Sequence, residues 1–171
     1  MPEPATGPSG LRHARKTFAR DRAVQAAVLG LHHAPAIHYT QDPRRWEGIA
    51  DTRLSRRGEF PNYADCSAFV TWCLWNALYV TYQIRDVVNG AQWEAGYTGT
   101  MLSHGMVVER IADMRRGDAV LYGSGPPGKH TAIIVGRHGD TPMVVSHGSE
   151  GGPYYLRWNY RSDVMSVRRY I

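Results

Sequence analysis

From residue 66 to residue 79 the chain reads CSAFVTWCLWNALY, a run without a single charge. Apolar groups fall on every side of a 3.6-residue period, so a helix here has to be buried nearly all round. Such an element cannot lie on a surface. It must be the hub of a layered domain, covered by other helices or a sheet. The residues ahead of it, Tyr63-Ala64-Asp65, are turn-like, and Asp65 or Ser67 supplies an N-cap. The helix therefore starts abruptly, with Cys66 in its first turn. The free N–H groups and the helix dipole at that end favour a thiolate, the nucleophilic form of cysteine.

The rest of the chain divides around this helix. At 171 residues, a single domain over 11–171 is expected behind a flexible lead, MPEPATGPSG, at 1–10. Residues 11–31 read as a helix through Phe18, Val24, Ala27, Val28 and Leu31. Residues 32–64 are loop-rich, broken by Pro35, Pro43, Gly48, Gly58 and Pro61, with Trp46, Ile49 and Leu54 pinning them to the body. Residues 80–100 read as a short helix and a turn at Gly96-Tyr97-Thr98-Gly99; 101–116 carry no clear period. The second half then changes to a period of two. Strands are expected at 118–122, 130–136, 143–147 and 164–170, with a hairpin turn at His138-Gly139-Asp140. Helices followed by an antiparallel sheet make an α+β domain.

The formal net charge is +5, which suits anionic partners such as nucleic acid, acidic lipid or wall polymers. The basic residues are scattered over 12–22, 44–45, 53–57, 110–116 and 157–169, and no nucleic-acid motif accompanies them, so no nucleic-acid partner is expected. No run approaches transmembrane length, so no membrane insertion is expected. Cys66 and Cys73 stand about 10.5 Å apart along one helix, too far to pair. Unpaired cysteines and a polar, signal-free start point to a chain made in the cytoplasm. His32, His33 and His38 lack a partner at zinc-site spacing, and no metal or cofactor is expected. Arg116-Gly117-Asp118 is explained by a turn entering a strand.

A nucleophilic cysteine needs an imidazole base and a third group to orient it. His130 opens the strongest strand, directly after the loop GSGPPGK. His147 ends the next strand, and if the hairpin turns at 138–141 the two strand ends lie side by side, about 5 Å apart. Glu150 is the alternative third member. The backbone N–H of Cys66, helped by Tyr63 or Ser67, would hold an oxyanion. Trp93 and Tyr97 are candidates for a substrate groove.

Four blocks carry a resemblance: Asp65-Cys66-Ser67-Ala68-Phe69-Val70, Arg116-Gly117-Asp118-Ala119-Val120-Leu121-Tyr122, His130-Thr131-Ala132-Ile133-Ile134-Val135-Gly136, and Val144-Val145-Ser146-His147-Gly148. In this order they resemble the NlpC-type and CHAP-type papain-like cell-wall hydrolases. The resemblance implies a papain-like fold and cleavage of an amide bond in peptidoglycan peptides through a thioester. It makes Cys66 the nucleophile, His130 the base and His147 the orienting residue. Ala68 departs from the usual glycine, and the segment 80–110 is long and aromatic. A start without a leader fits a phage endolysin released to the wall by a holin-type pore. Two rivals share the residues: acyl transfer of the transglutaminase kind on the same fold, and a non-catalytic wall-binding module.

Overall fold

The computed structural model describes residues 8–90 and 92–171. The first helix, α1, spans Pro8–His32. After it come β1 (His38–Tyr39), α2 (Glu47–Ala50), β2 (Tyr63–Ala64), α3 (Cys66–Tyr82), α4 (Thr98–Ser103) and β3 (Met106–Val107). The chain then turns to sheet, with β4 (Ala119–Tyr122), β5 (His130–His138), β6 (Thr141–Ser146), β7 (Tyr154–Arg157) and β8 (Val164–Arg169). Of the expected lead, residues 1–7 lie outside the described residues, and 8–10 belong to the helix.

Six strands form one antiparallel sheet in the order β3-β8-β4-β5-β6-β7. α3 packs on β5 and against α1, and α1 also meets β5 and β6. This is the expected α+β arrangement, N-terminal helices with the Cys66 helix packed on a C-terminal antiparallel sheet. Every residue of α3 from Cys66 to Leu78 is buried. Burying each of its large side chains, among them Phe69 and Leu74, stabilises the fold by about 1.5–3 kcal/mol.

α1 approaches α3 through small residues. Its buried face is Ala19, Ala23, Ala26 and Ala27, and a Cβ on Gly30 would stand 2.6 Å from the Phe69 ring. Phe18, expected on the apolar face, is 56% exposed instead. The close alanine contact leaves no room for a phenyl ring between the helices. The loop-rich 32–64 segment is pinned as expected by the buried Trp46, Ile49 and Leu54. Polar ties add to this: Trp72 Nε1 donates to the Arg53 carbonyl at 2.6 Å, and Asn76 Oδ1 accepts from the Ser55 N–H at 3.0 Å.

The segment after α3 differs from expectation. Asp86 first turns the chain, its Oδ1 accepting from the N–H groups of Val88 and Asn89, and the short helix ahead of Gly96 is a single 3-10 turn, Trp93–Ala95. A carboxylate bonded to its own following backbone competes with helix. An α-helix comes later, as α4, beginning inside the expected 96–99 turn. β7 and the parallel pair β1–β2 are further elements that no sequence period announced. The triplet 116–118 enters β4 through Gly117 at φ +86°, and Asp118 is buried, gripped by Arg169 at 2.7 and 2.8 Å. It is a structural pair, closed to any receptor.

Candidate active site

Cys66 sits in the first turn of α3. Asp65 is the N-cap, extended at φ −104°, and its Oδ1 accepts from the Ala68 N–H at 2.7 Å and from Ser67 Oγ at 2.9 Å. Its Oδ2 accepts from Arg45 Nη1 at 2.5 Å. The Ser67 hydroxyl is thus committed to the cap rather than turned to a groove. The thiol is only 6% exposed. Burial, with a smaller push from the Asp65 charge, raises its pKa to about 12. The N–H groups of Thr131, Ser67 and Cys66 itself favour the thiolate, but desolvation outweighs them. The helix N-terminus acts in the expected direction and loses.

His130 is the first residue of β5, buried, with Tyr122 directly across the β4–β5 pair at 5.7 Å between ring centroids. A Cβ on Gly148 would lie 2.8 Å from its Cε1, so the glycine allows the backbone to rest on the imidazole. Burial, then the positive charge of Arg161, lowers the His130 pKa to about 4. Its Nε2 is 2.7 Å from Ser146 Oγ, and that hydroxyl is 3.0 Å from the Tyr160 hydroxyl. Among the described residues no hydrogen bond joins Cys66 to His130; the thiol faces the N–H of Thr131, one residue along β5.

His147 does not sit against Nε2. It is fully buried on the helix side of the sheet, between Phe69 and Tyr39 at 5.8 and 5.5 Å, and neither ring nitrogen has a hydrogen-bond partner. Burial lowers its pKa, against weaker opposite pulls that include the charges of Glu150 and Asp65. The cause is a β-bulge. From the hairpin, His138 pairs with Thr141 and Gly136 with Met143, but Ile134 then pairs with Val144. Val135 is the extra residue. Without it, residue 147 would pair with residue 132 and share the face of His130. With it, that place passes to Ser146, and His147 turns to the other face.

Glu150, the alternative third member, is exposed and pairs with His38 Nδ1 at 2.6 Å while accepting the Tyr39 N–H at 2.8 Å. These bonds hold its carboxyl below the usual range and tie β1 to the loop after β6. Tyr63 lies under the Arg44 guanidinium, 4.4 Å from its centroid. Tyr39 is the β1–β2 tyrosine coupled to the thiol: burial raises its pKa, and a charge on Cys66 raises it further. Trp93 is a buried core residue with an unpartnered indole N–H, and Tyr97 is exposed beside Gly99. Among the described residues, no three His, Cys, Asp or Glu side chains gather where an ion would be held.

Solved structures with this arrangement include NlpC2 from Trichomonas vaginalis, with a TM-score of 0.56 and 17% identity over 90% of this chain and 46% of that one. NlpC1 from the same organism matches with a TM-score of 0.55 and 17% identity, over 88% of this chain and 44% of that one. The NlpC/p60 domain of peptidoglycan hydrolase SagA matches with a TM-score of 0.53 and 17% identity, over 88% of this chain and 97% of that domain. The chain has the NlpC/p60 fold. It spans less than half the length of the two Trichomonas chains. No family model matches the sequence, and no curated protein does.

Within this NlpC/p60 fold, sequence reasoning missed Ser146, Tyr160 and Tyr39. Gly136 inside a β-branched run was the available signal for a bulge, and so for Ser146. Tyr160 lies in an irregular segment, and no period in the sequence reaches it.

Proposed function

We propose that the chain is a peptidoglycan hydrolase that cleaves an amide bond of a wall peptide with Cys66 as nucleophile, His130 as base and Ser146 as the orienting residue. The observation that carries this reading is the imidazole fixed through Nε2 to Ser146, at the start of the strand whose next N–H faces the thiol. With its pKa lowered, His130 is neutral at pH 7, and with its pKa raised Cys66 is a thiol. The resting pair is therefore uncharged, and proton transfer accompanies attack rather than preceding it.

On this reading the Cys66 side chain has to turn from the Thr131 N–H so that Sγ meets Nδ1. Nδ1 takes the thiol proton as sulfur bonds to the amide carbon, and the carbonyl becomes an oxyanion. The N–H of Cys66 stabilises it, with Tyr39 at hand; a donor of this kind is worth about 3 kcal/mol. The C–N bond breaks as His130 returns the proton to the leaving amine. A water molecule then attacks the thioester, giving its proton to His130 and releasing the carboxylic acid and the free thiol.

The substrate class rests on the fold shared with a domain named as part of a peptidoglycan hydrolase, and on a net charge of +5, suited to an anionic wall. In its finer form the reading makes the chain the catalytic unit of a phage endolysin. Expression then lyses a host only when a holin is supplied. The direct test is digestion of purified wall by the protein and by Cys66→Ala, following new amino groups. Release by the protein alone is expected, and equal release by both overturns the role of Cys66.

One observation favours a second reading, a non-catalytic wall-binding module: the thiol is almost sealed from solvent. On that reading iodoacetamide labels Cys66 no faster than Cys73, and wall binding survives Cys66→Ala with no products formed.

A further inference from the structure

Ser146 is 2% exposed, and its hydroxyl touches two partners, His130 Nε2 at 2.7 Å and the Tyr160 hydroxyl at 3.0 Å. A serine hydroxyl has one proton to give and can accept others. A neutral imidazole carries one proton, on Nδ1 or on Nε2, and a hydrogen bond to one nitrogen fixes the other. Two self-consistent orders follow. In the first, Nε2–H donates to Ser146, Ser146 donates to Tyr160, and Nδ1 is left as a free base. In the second, Tyr160 donates to Ser146, Ser146 donates to Nε2, and the proton sits on Nδ1, which can then take nothing from a thiol. An arrangement in which both neighbours donate to Ser146 strands its own proton in a buried site, at a cost of about 1–3 kcal/mol.

We propose that Tyr160 is a positioning residue: by accepting the Ser146 proton, it keeps the His130 proton on Nε2 and leaves Nδ1 free to act as base. Its catalytic consequence rests on the hydrolase reading above, whereas the tautomer itself does not. Tyr160 is suited to the role because, unlike Ser146, it is a residue 40% exposed to solvent. Its own proton can go to solvent, which leaves its oxygen open to Ser146. Buried Ser146 has no such outlet. Remove the phenol oxygen, and among the described residues the acceptor left for the Ser146 proton is Nε2. The charged groups facing this chain are Arg161 and Asp163, joined to each other at 2.6 and 2.8 Å, and Asp65 in the helix cap, with Cys66 and His147 as titratable neighbours. Tyr160→Phe leaves all of them in place.

The test reads the tautomer directly. Protein labelled with 15N at histidine is examined by long-range 1H–15N spectra at neutral pH, as wild type, Tyr160→Phe, Ser146→Ala and the double variant. The wild type is expected to hold the proton on Nε2, and Tyr160→Phe to move most of it to Nδ1. In the Ser146→Ala background the second substitution is expected to change nothing, because the link is gone. On wall substrate, Tyr160→Phe is expected to lower kcat roughly fivefold with KM unchanged, the worth of one net hydrogen bond. An unchanged tautomer in Tyr160→Phe overturns the proposal, as does an equal shift with and without Ser146. A protein that cleaves no wall at all but shows the tautomer shift refutes the hydrolase reading and leaves the hydrogen-bond chain standing.

Discussion

Acidification should destabilise this protein through His130, beginning above the pH at which ordinary carboxylates titrate. The folded pKa of about 4 lies about 2.5 units below the ordinary value of 6.5. At about 1.4 kcal/mol per unit this is roughly 3 kcal/mol of differential proton binding. The unfolded chain takes up a proton as the pH falls through 6.5, while the buried ring does not until about 4. Above 6.5 neither state binds, and the group contributes no pH dependence. Stability is therefore full at neutral pH and falls by about 1.4 kcal/mol for each unit between roughly 6 and 4. His147, lowered by burial as well, acts with the same sign. Urea unfolding at several pH values from 7 to about 4.5 measures this, with constant m-values as the check on a two-state transition. His130→Asn removes one titrating group, so its slope should be shallower by about 1.4 kcal/mol per pH unit. Equal slopes for the two proteins, or an NMR titration of His130 near 6.5, refute the reasoning.

Other outcomes follow from single contacts. Gly148→Ala places a methyl group 2.8 Å from the His130 ring; the strain should cost about 1–3 kcal/mol and shift the His130 ring resonances. Asp65→Ala removes the acceptor for the Ala68 N–H, for Ser67 and for Arg45; a loss of about 1–2 kcal/mol in thermal or urea unfolding is expected, together with faster alkylation of Cys66, because the lesser of the two effects that raise the thiol pKa, after burial, is gone. In the wild type the alkylation rate of Cys66 should climb about tenfold per pH unit from 8 upward, following a thiol with a pKa of about 12; a plateau near pH 8 contradicts the buried, neutral pair.

The apolar run of α3 and the β-branched runs of β5 and β6 declared their structure locally, because burial on all sides or on one face leaves a period that can be read. The placing of Cys66 and His130 was legible for the same reason, each standing at the first residue of a strongly patterned element. The residue that meets His130 Nε2 was not. His147 is the expected neighbour in a regular hairpin, and one unpaired residue at Val135 reverses the parity of everything beyond it. A period of two carries no memory of such an insertion, so the choice between Ser146 and His147 lay in register, which only strand pairing fixes. Tyr39 and Tyr160 were hidden differently. Tyr39 is held by a two-residue parallel pair and by the Glu150 carboxylate, and Tyr160 follows a strand with no announced period; both come within range of the Cys66 charge only through the tertiary fold.

The basic residues make a related point. Scattered in sequence, Lys16, Arg20, Arg115 and Arg169 line one cavity of about 480 Å³ together with His13. Asp118 takes the charge of Arg169, and the Arg20 guanidinium donates to the Ile171 carbonyl at 2.9 Å. Like charges gathered there lower the Arg20 pKa, after burial has done most of that work.

Intact-mass analysis of the protein quenched in acid during digestion of purified wall tests the chemistry at its centre. A wall-peptide acyl group on Cys66, absent from His130→Asn and lost on standing at neutral pH as water completes the reaction, is the expected result. Wall cleavage that proceeds with Cys66 unmodified, or that survives its replacement, contradicts it.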